Sequence, residues 1–252
     1  MPSAALSTWV ASTLLLGLRI APAFAFAPPF TLVRMPLLFR ILLSLGLSIT
    51  ILAATPGSVL ALSDLQALVP AAARELALGT LVVLVLQLLF GALYLAGRTV
   101  DIQAGIGLAL LIDPTTRTQT PLIGTLFAYA AAAIFFSLDG HLDLLRFMAA
   151  TLRLVPLGAW TMPDDLARIG LLAGALCTMA LGFAGAVIIA LFLVDLALAL
   201  LSRTVPQMNV FVLGFQVKTL VLLVALPLCF GLAGAILVHM IAEAFDALPG
   251  LL

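Results

Sequence analysis

The sequence predicts an all-α integral membrane protein, a multi-helix chain with broken helices and long helical hairpins. Three observations lead there. The 252 residues are 64% hydrophobic and 9% charged, with a mean hydropathy of +1.31, whereas soluble domains run near roughly 45–50% apolar and about 25% charged. Charge-free stretches cover residues 1–18, 41–63, 76–97, 118–138, 169–194 and 219–238, each near the roughly 20 residues that carry a helix across hydrocarbon. The alternating pattern of a membrane barrel is missing, and backbone groups in lipid must bond within their own segment, which leaves helices as the available form.

Charge narrows the function classes. Acidic and basic residues balance at eleven each, so no net field draws the chain to nucleic acid, and no nucleic-acid partner is expected. Every basic residue but Lys218 is arginine, which suits forked bonding to buried carbonyls and carboxylates. Cys177 and Cys229 stand in apolar runs without His or Cys at metal-ligand spacing and read as packed thiols. No metal and no cofactor is expected.

Along the chain, residues 1–18 look superficially like a leader before Ala21-Pro22-Ala23, but no basic residue precedes them and Arg19 follows, so they are expected to persist as the first helix. Residues 20–40 hold Pro22, Pro28, Pro29 and Pro36, which predicts a broken or re-entrant path through this connection in place of a continuous helix. Residues 64–75 read as a milder turn, with Pro70 placed to begin the next helix. Basic residues occur in successive connections, Arg19, Arg34 and Arg40, then Arg74, then Arg98 and Arg117. The positive-inside count therefore sets no orientation, as befits a chain surrounded largely by other subunits.

The junction at 98–117 contains Asp101, then Gly105, Ile106, Gly107, Leu108, Leu110 and Leu111, then Asp113-Pro114 and a Thr-rich exit. Its apolar stretch is too short to span a bilayer, the glycines permit bending or close approach, and Asp-Pro starts a turn. A pore-facing loop and an interfacial half-helix fit it equally well. At 139–168, His141 between Asp139 and Asp143 resembles a proton-shuttling site. The simpler reading is structural: Gly140 ends one helix, and the three polar side chains satisfy backbone groups at the start of the next.

Gly174, Thr178, Gly182 and Ala186 recur every four residues and predict a ridge of close helix packing. Asp195 lies in an apolar stretch where an unpaired charge costs several kcal/mol, so a partner is required; Arg203, two turns on, is the candidate. In 203–211, Pro206 breaks the helix, and the amides of Gln207 and Asn209 can bond the groups it frees, with Arg203 and Lys218 flanking. Pro227 is expected to bend the last apolar run.

These junctions, in this order, resemble the FliR family of the flagellar type III export gate and its injectisome relatives, the SctT family. The resemblance rests on Arg19-Ile20-Ala21-Pro22 with Phe24, Pro28 and Arg40; on 101–114; on Leu138-Asp139-Gly140-His141 with Pro156-Leu157-Gly158; and above all on 202–211 followed by Gly214-Phe215 and Lys218. Gly214-Phe215 looks flagellar more than injectisome. Gln216-Val217 departs from the Pro-Leu common before the lysine, and Leu142 stands where many relatives carry a second His.

The resemblance implies a FliP-like region over 1–165 fused to a FliQ-like hairpin over 166–252. It implies assembly with FliP-like and FliQ-like subunits, contact with FlhB-like and FlhA-like export proteins, and passage of unfolded flagellar proteins. It places the chain in the bacterial inner membrane within the flagellar basal body. It assigns the loop holding Gly105, Ile106, Gly107, Leu108, Leu110, Leu111, Asp113 and Pro114 to pore plugging, and it fits Arg19, Pro22, Asp139, His141, Asp195, Arg203, Pro206, Gln207, Asn209 and Lys218 as assembly residues. The expected function is thus a non-enzymatic gate subunit. The alternative is a small secondary transporter, which should show related broken helices in two halves; no internal repeat is found. A membrane-embedded enzyme ranks third, since no nucleophile, metal cluster or carboxylate pair stands in the apolar region.

Overall fold

The computed structural model describes residues 2–32, 36–55, 65–106, 121–163, 165–205 and 210–251. Gly107, Leu108, Leu110, Leu111, Asp113 and Pro114, and likewise Pro206, Gln207 and Asn209, lie outside the described residues. The described helices are α1 (Pro2–Phe26), α2 (Pro28–Thr31), α3 (Leu37–Ala54), α4 (Leu65–Ala104), α5 (Leu122–Ser137), α6 (Gly140–Leu154), α7 (Ala167–Thr204) and α8 (Val210–Ala247), with a 3₁₀ turn at Pro249–Leu251. No strand occurs among the described residues. Segments of α1, α3, α4, α7 and α8 are long and apolar enough to cross a membrane, and the bent pair α5 and α6 would make a sixth span if counted as one.

Four of the helices, α1, α4, α7 and α8, outrun the charge-free stretches that predict them. Helix α1 passes straight through Pro22, which is buried inside it. The break expected within residues 20–40 falls at Ala27, whose backbone is extended (φ −70°, ψ 129°) directly before Pro28. The ring of a proline pushes the preceding residue out of the helical region, and the chain yields there rather than at Ala21, inside the packed helix. The turn expected at 64–75 is also absent from residue 65 on, because α4 runs unbroken for 40 residues with Pro70 inside it. Glu75, Arg98 and Asp101 belong to this helix; two of them, Glu75 and Asp101, are buried and bonded.

The chain forms two compact units, each assembled from separate stretches. The first comprises Met1–Leu88, Phe135–Gly170 and Glu243–Leu252. Within it α1 and α3 run antiparallel: Gly17 lies by Leu45 and Ser48, and the Arg40 guanidinium donates to the Ala25 carbonyl at 3.0 Å. α1 and the start of α4 run the same way, with Arg19 meeting Glu75 and Gln87 donating to the Phe26 carbonyl. Phe30, Phe135 and Phe136 meet edge to face, and Phe245 stacks on Phe135, the geometries aromatic quadrupoles favour.

The second unit comprises Leu89–Ile134 and Leu171–Ala242. Here α7 and α8 form an antiparallel hairpin, since rising numbers on one meet falling numbers on the other: the Cys229 thiol donates to the Phe183 carbonyl at 3.0 Å, and Asp195 meets Lys218. Phe127, Phe183 and Phe230 form a three-ring core with centroids 4.9 to 5.8 Å apart. The buried face of α7 is Leu172, Leu176, Ala180, Phe183, Ala184, Val187 and Leu191, not the small-residue ridge. A side chain added at Gly174 or Gly182 would meet nothing within 4 Å, so among the described residues that ridge is open. The large apolar residues repeat on the same period and bury more area, and they take the contact.

Candidate functional site

The Gly-rich junction is defined by its two ends. Helix α4 stops at Ala104, and Gly105 follows with φ +82°, its N–H bonded to the Ile102 carbonyl at 3.1 Å. This left-handed residue after a helix is the usual glycine stop, which a side chain would strain. On the far side, Pro121 precedes α5, whose first N–H groups have no partner within their own helix. The Asp101 carboxylate supplies one, accepting the Ile123 N–H with both oxygens at 3.1 Å. A carboxylate at a helix N-terminus is also favoured by the helix dipole. Asp101 is buried, and so is Ile123.

One turn back, α4 and α5 touch backbone to backbone. A Cβ on Gly97 would collide with the main chain of Gly124, and one on Gly124 would lie 2.8 Å from the Tyr94 carbonyl oxygen. Two glycines facing each other let the helices approach closely enough for Asp101 to reach Ile123. The segment between residues 106 and 121 thus leaves and returns through a single stitched base.

A second bond reaches that base from the hairpin. The Lys218 ammonium, on α8, donates to the Gln103 carbonyl at 2.9 Å and pairs with Asp195 of α7 at 2.6 Å. Gln103 is in the last turn of α4, where carbonyls lack helical partners and a cation is favoured. Asp195 therefore has its required partner, but it is Lys218 and not Arg203, which is exposed. Eight residues along one helix is about 12 Å of rise, too far for a direct bond, whereas the hairpin brings Lys218 alongside. Asp195 remains 44% exposed, so the pair itself contributes modestly.

The other charged centre lies in the first unit. Arg19 and Glu75 are fully buried, with Nε to Oε2 at 2.5 Å and Nη2 to Oε1 at 2.9 Å. Arg19 also donates to the Thr151 hydroxyl (3.0 Å) and the Val155 carbonyl (3.1 Å), while Glu75 accepts the Gly158 N–H at 2.7 Å. Arg74 donates to the Gly158 carbonyl at 2.9 Å. The charges thus tie the connection after α6 to α1 and α4. Glu75 and Thr151 were not singled out from sequence; the available clue was one lone base and one lone acid at the edges of apolar runs, each needing an opposite.

Asp139 and His141 do something other than the expected capping. Asp139, not Gly140, takes the left-handed conformation (φ 56°) at the 68° bend between α5 and α6, and its side chain forms no cap bond. Its backbone carbonyl accepts Leu142 and Asp143 instead. Gly140 begins α6 rather than ending α5 because its bare Cα lies against Phe135, where a Cβ would overlap the ring. The His141 ring sits 5.6 Å from Phe136 with a buried, unbonded Nδ1, and Asp143 is engaged by Arg146 at 2.8 Å. Among the described residues no group of three or more His, Cys, Asp or Glu could hold a metal ion. Both cysteines are free thiols.

Comparison with known proteins follows the same stretch of chain. The model of the family described as bacterial export proteins, family 1, matches residues 10–244. The flagellar biosynthetic protein FliR of Pectobacterium carotovorum subsp. carotovorum is 28% identical over 255 residues, covering 97% of this chain and 94% of its own. The FliR of Bacillus subtilis is 31% identical over 184 residues, 71% of each chain. The Yop proteins translocation protein T of Yersinia pestis is 33% identical over 156 residues, covering 58% of this chain and 57% of its own.

Proposed function

The chain belongs to the bacterial export proteins, family 1, the FliR family with its injectisome relatives, and from that premise we propose that it forms and closes the pore of a flagellar export gate. As a family member it is a component of a flagellar or injectisome export apparatus. The finer reading is a non-enzymatic subunit that assembles with FliP-like and FliQ-like chains in the bacterial inner membrane, within the basal body. FlhB-like and FlhA-like proteins stand beside it, and unfolded flagellar proteins pass through.

The observation that carries the gating half is the stitched base at Asp101 and Ile123. A loop that must swing aside for a passing chain and return needs fixed ends, and this one has them. Ile106, Leu108, Leu110 and Leu111 are the sealing residues, flanked by Gly105, Gly107, Asp113 and Pro114. Burying each large side chain contributes about 1.5–3 kcal/mol, enough for a closed-state bias that cargo can overcome. Residues 166–252 are read as the FliQ-like hairpin and 1–165 as the FliP-like region. The antiparallel α7 and α8, 38 residues each, support the former.

Helix length supports assembly. At 1.5 Å per residue, the 40 residues of α4 reach about 60 Å, twice the roughly 30 Å of hydrocarbon. Most of α4's apolar span is buried within its own chain, whereas only 17% and 22% of the spans of α7 and α8, at 38 residues each, are buried, which leaves long apolar faces for partner chains. The test has two arms: purification of the tagged chain from native membranes, where FliP-like and FliQ-like chains should accompany it, and membrane conductance of Gly107→Asp or a partial deletion of 107–120. Normal assembly with raised leakage is the expected result. Intact assembly with unchanged leakage and export removes the plug assignment, and a chain that catalyses solute uptake alone removes the gate reading.

A further inference from the structure

We infer that the groove between the end of α3 and α6 binds the headgroup of an anionic phospholipid bearing free hydroxyls, of the phosphatidylglycerol type. The groove measures about 450 Å³ and is lined by Thr50, Ile51 and Thr55 on one side and Arg146, Ala150 and Arg153 on the other. The two arginines are seven residues apart, nearly two full turns, so they share a face and lie about 10 Å apart along the axis. Arg146 also holds Asp143, but those side chains are 73% and 50% exposed, so the pair is weak and the guanidinium keeps donors for another anion. Arg153 takes part in none of the salt bridges found among the described residues.

The chemistry of the lining selects the ligand. Each guanidinium offers a fork that matches phosphate oxygens. The Thr50 and Thr55 hydroxyls spend their protons on the Leu47 and Ile51 carbonyls, at 2.9 and 2.8 Å, which leaves oxygen lone pairs facing outward as acceptors. A phosphodiester alone has no protons to give them; the glycerol hydroxyls of the headgroup do.

Position selects a lipid over a free anion. Helix α3 has 18 residues, a mean hydropathy of 2.2 and only 17% of its span buried, and Leu38, Leu42 and Ile49 form an exposed stripe along it. Its length of about 27 Å nearly equals the hydrocarbon thickness, so its end at Ala54 and Thr55 falls at headgroup depth, with Thr50 a little over one turn below it and the stripe as a bed for acyl chains. Helix α6 has the profile of an interfacial helix: Leu144, Met148 and Leu152 are buried while Asp143, Arg146 and Arg153 are exposed. Basic pockets between membrane helices take anionic headgroups in this way.

The test titrates the purified gate complex, in neutral detergent, with dioctanoyl phosphatidylglycerol, dioctanoyl phosphatidylcholine and glycerol 1-phosphate, counting bound molecules by native mass spectrometry. The anionic lipid should bind about tenfold more tightly than the zwitterionic one, and the preference should vanish in Arg146→Gln/Arg153→Gln. Equal binding of the two lipids by the unaltered complex, or an unchanged preference in the double variant, overturns the site. Glycerol 1-phosphate binding as well as the lipid overturns the lipid assignment, and no binding of the anionic lipid at all overturns the site. Should the double variant fail to assemble, the unaltered complex and Arg153→Lys, which keeps the charge and should keep the preference, decide the matter.

Discussion

Asp101 and Ile123 are 22 residues apart in sequence and share a bifurcated bond, both carboxylate oxygens lying 3.1 Å from one backbone nitrogen. An acid in the last turn of α4 thereby satisfies the first turn of α5. The two ends of the intervening segment are held together by a buried side chain. Changing that one side chain separates the anchoring of the loop from the packing of the helices around it.

Asp101→Ala leaves the Ile123 N–H buried without an acceptor, a loss of about 1–3 kcal/mol. The complex should melt lower and leak more ions, while Asp101→Asn, which keeps one acceptor oxygen, should fall between. Conductance and thermal denaturation on the same preparations check this; an alanine variant that seals normally shows the base is not what anchors the seal.

Gly97→Ala inserts a methyl into the main chain of Gly124. Overpacking of this kind costs about 1–3 kcal/mol, and here the neighbour is backbone and cannot rotate away. Recovery of the assembled complex should drop. Gly46→Ala, with nothing within 4 Å of the added carbon, is the control and should assemble as well as the original.

Arg19→Met or Glu75→Leu alone removes one half of a fully buried pair and should destabilise by about 3–5 kcal/mol. Arg19→Met with Glu75→Leu should recover much of that loss, since an apolar pair leaves no orphan charge. The readout is complex yield and melting temperature across the four combinations; strict additivity would show that the two side chains do not depend on each other.

Lys218→Met should destabilise more than Asp195→Asn. The lysine holds both the Gln103 carbonyl and Asp195, whereas the half-exposed aspartate pair contributes about 0–1 kcal/mol. Arg203→Leu should leave the melting temperature of the complex close to the original. A larger loss at Arg203 than at Lys218 would mean that a partner subunit, not the hairpin, sets these charges.

What was legible in the sequence followed from composition and spacing, and what was not followed from pairing in space. The apolar runs at 41–63, 169–194 and 219–238 announced α3, α7 and α8, because a stretch that long and apolar has few other forms. Their ends were misjudged wherever a charge was taken as a boundary. Glu75 and Asp101 sit inside α4 because each finds a donor there, and no local pattern reveals a donor 22 or 56 residues away. The same blindness assigned Asp195 to a neighbour on its own helix. Proline misled in one direction only: Ala27 gave way before Pro28 as expected, but Pro22 stayed helical where packing surrounded it. Gly105 at the end of its helix was foreseeable as a flexible glycine, and its left-handed backbone gives that flexibility a definite use.

The fully buried pair of Arg19 and Glu75 also sets a clock. Arg19 is synthesised 56 residues before its acid, and at about 5–20 residues per second the ribosome takes roughly 3–11 s to supply it. During that interval a guanidinium in an apolar helix has no carboxylate, a state placed at about 2.5–3.5 kcal/mol by insertion scales. Newborn α1 must therefore wait at the membrane surface, lean its charge toward water, or be held by the insertion machinery until α4 arrives. Handover to partner subunits can begin only after that delay, which makes the stretch of α4 that carries Glu75, in its first half, the earliest point at which the nascent chain can be committed to its gate.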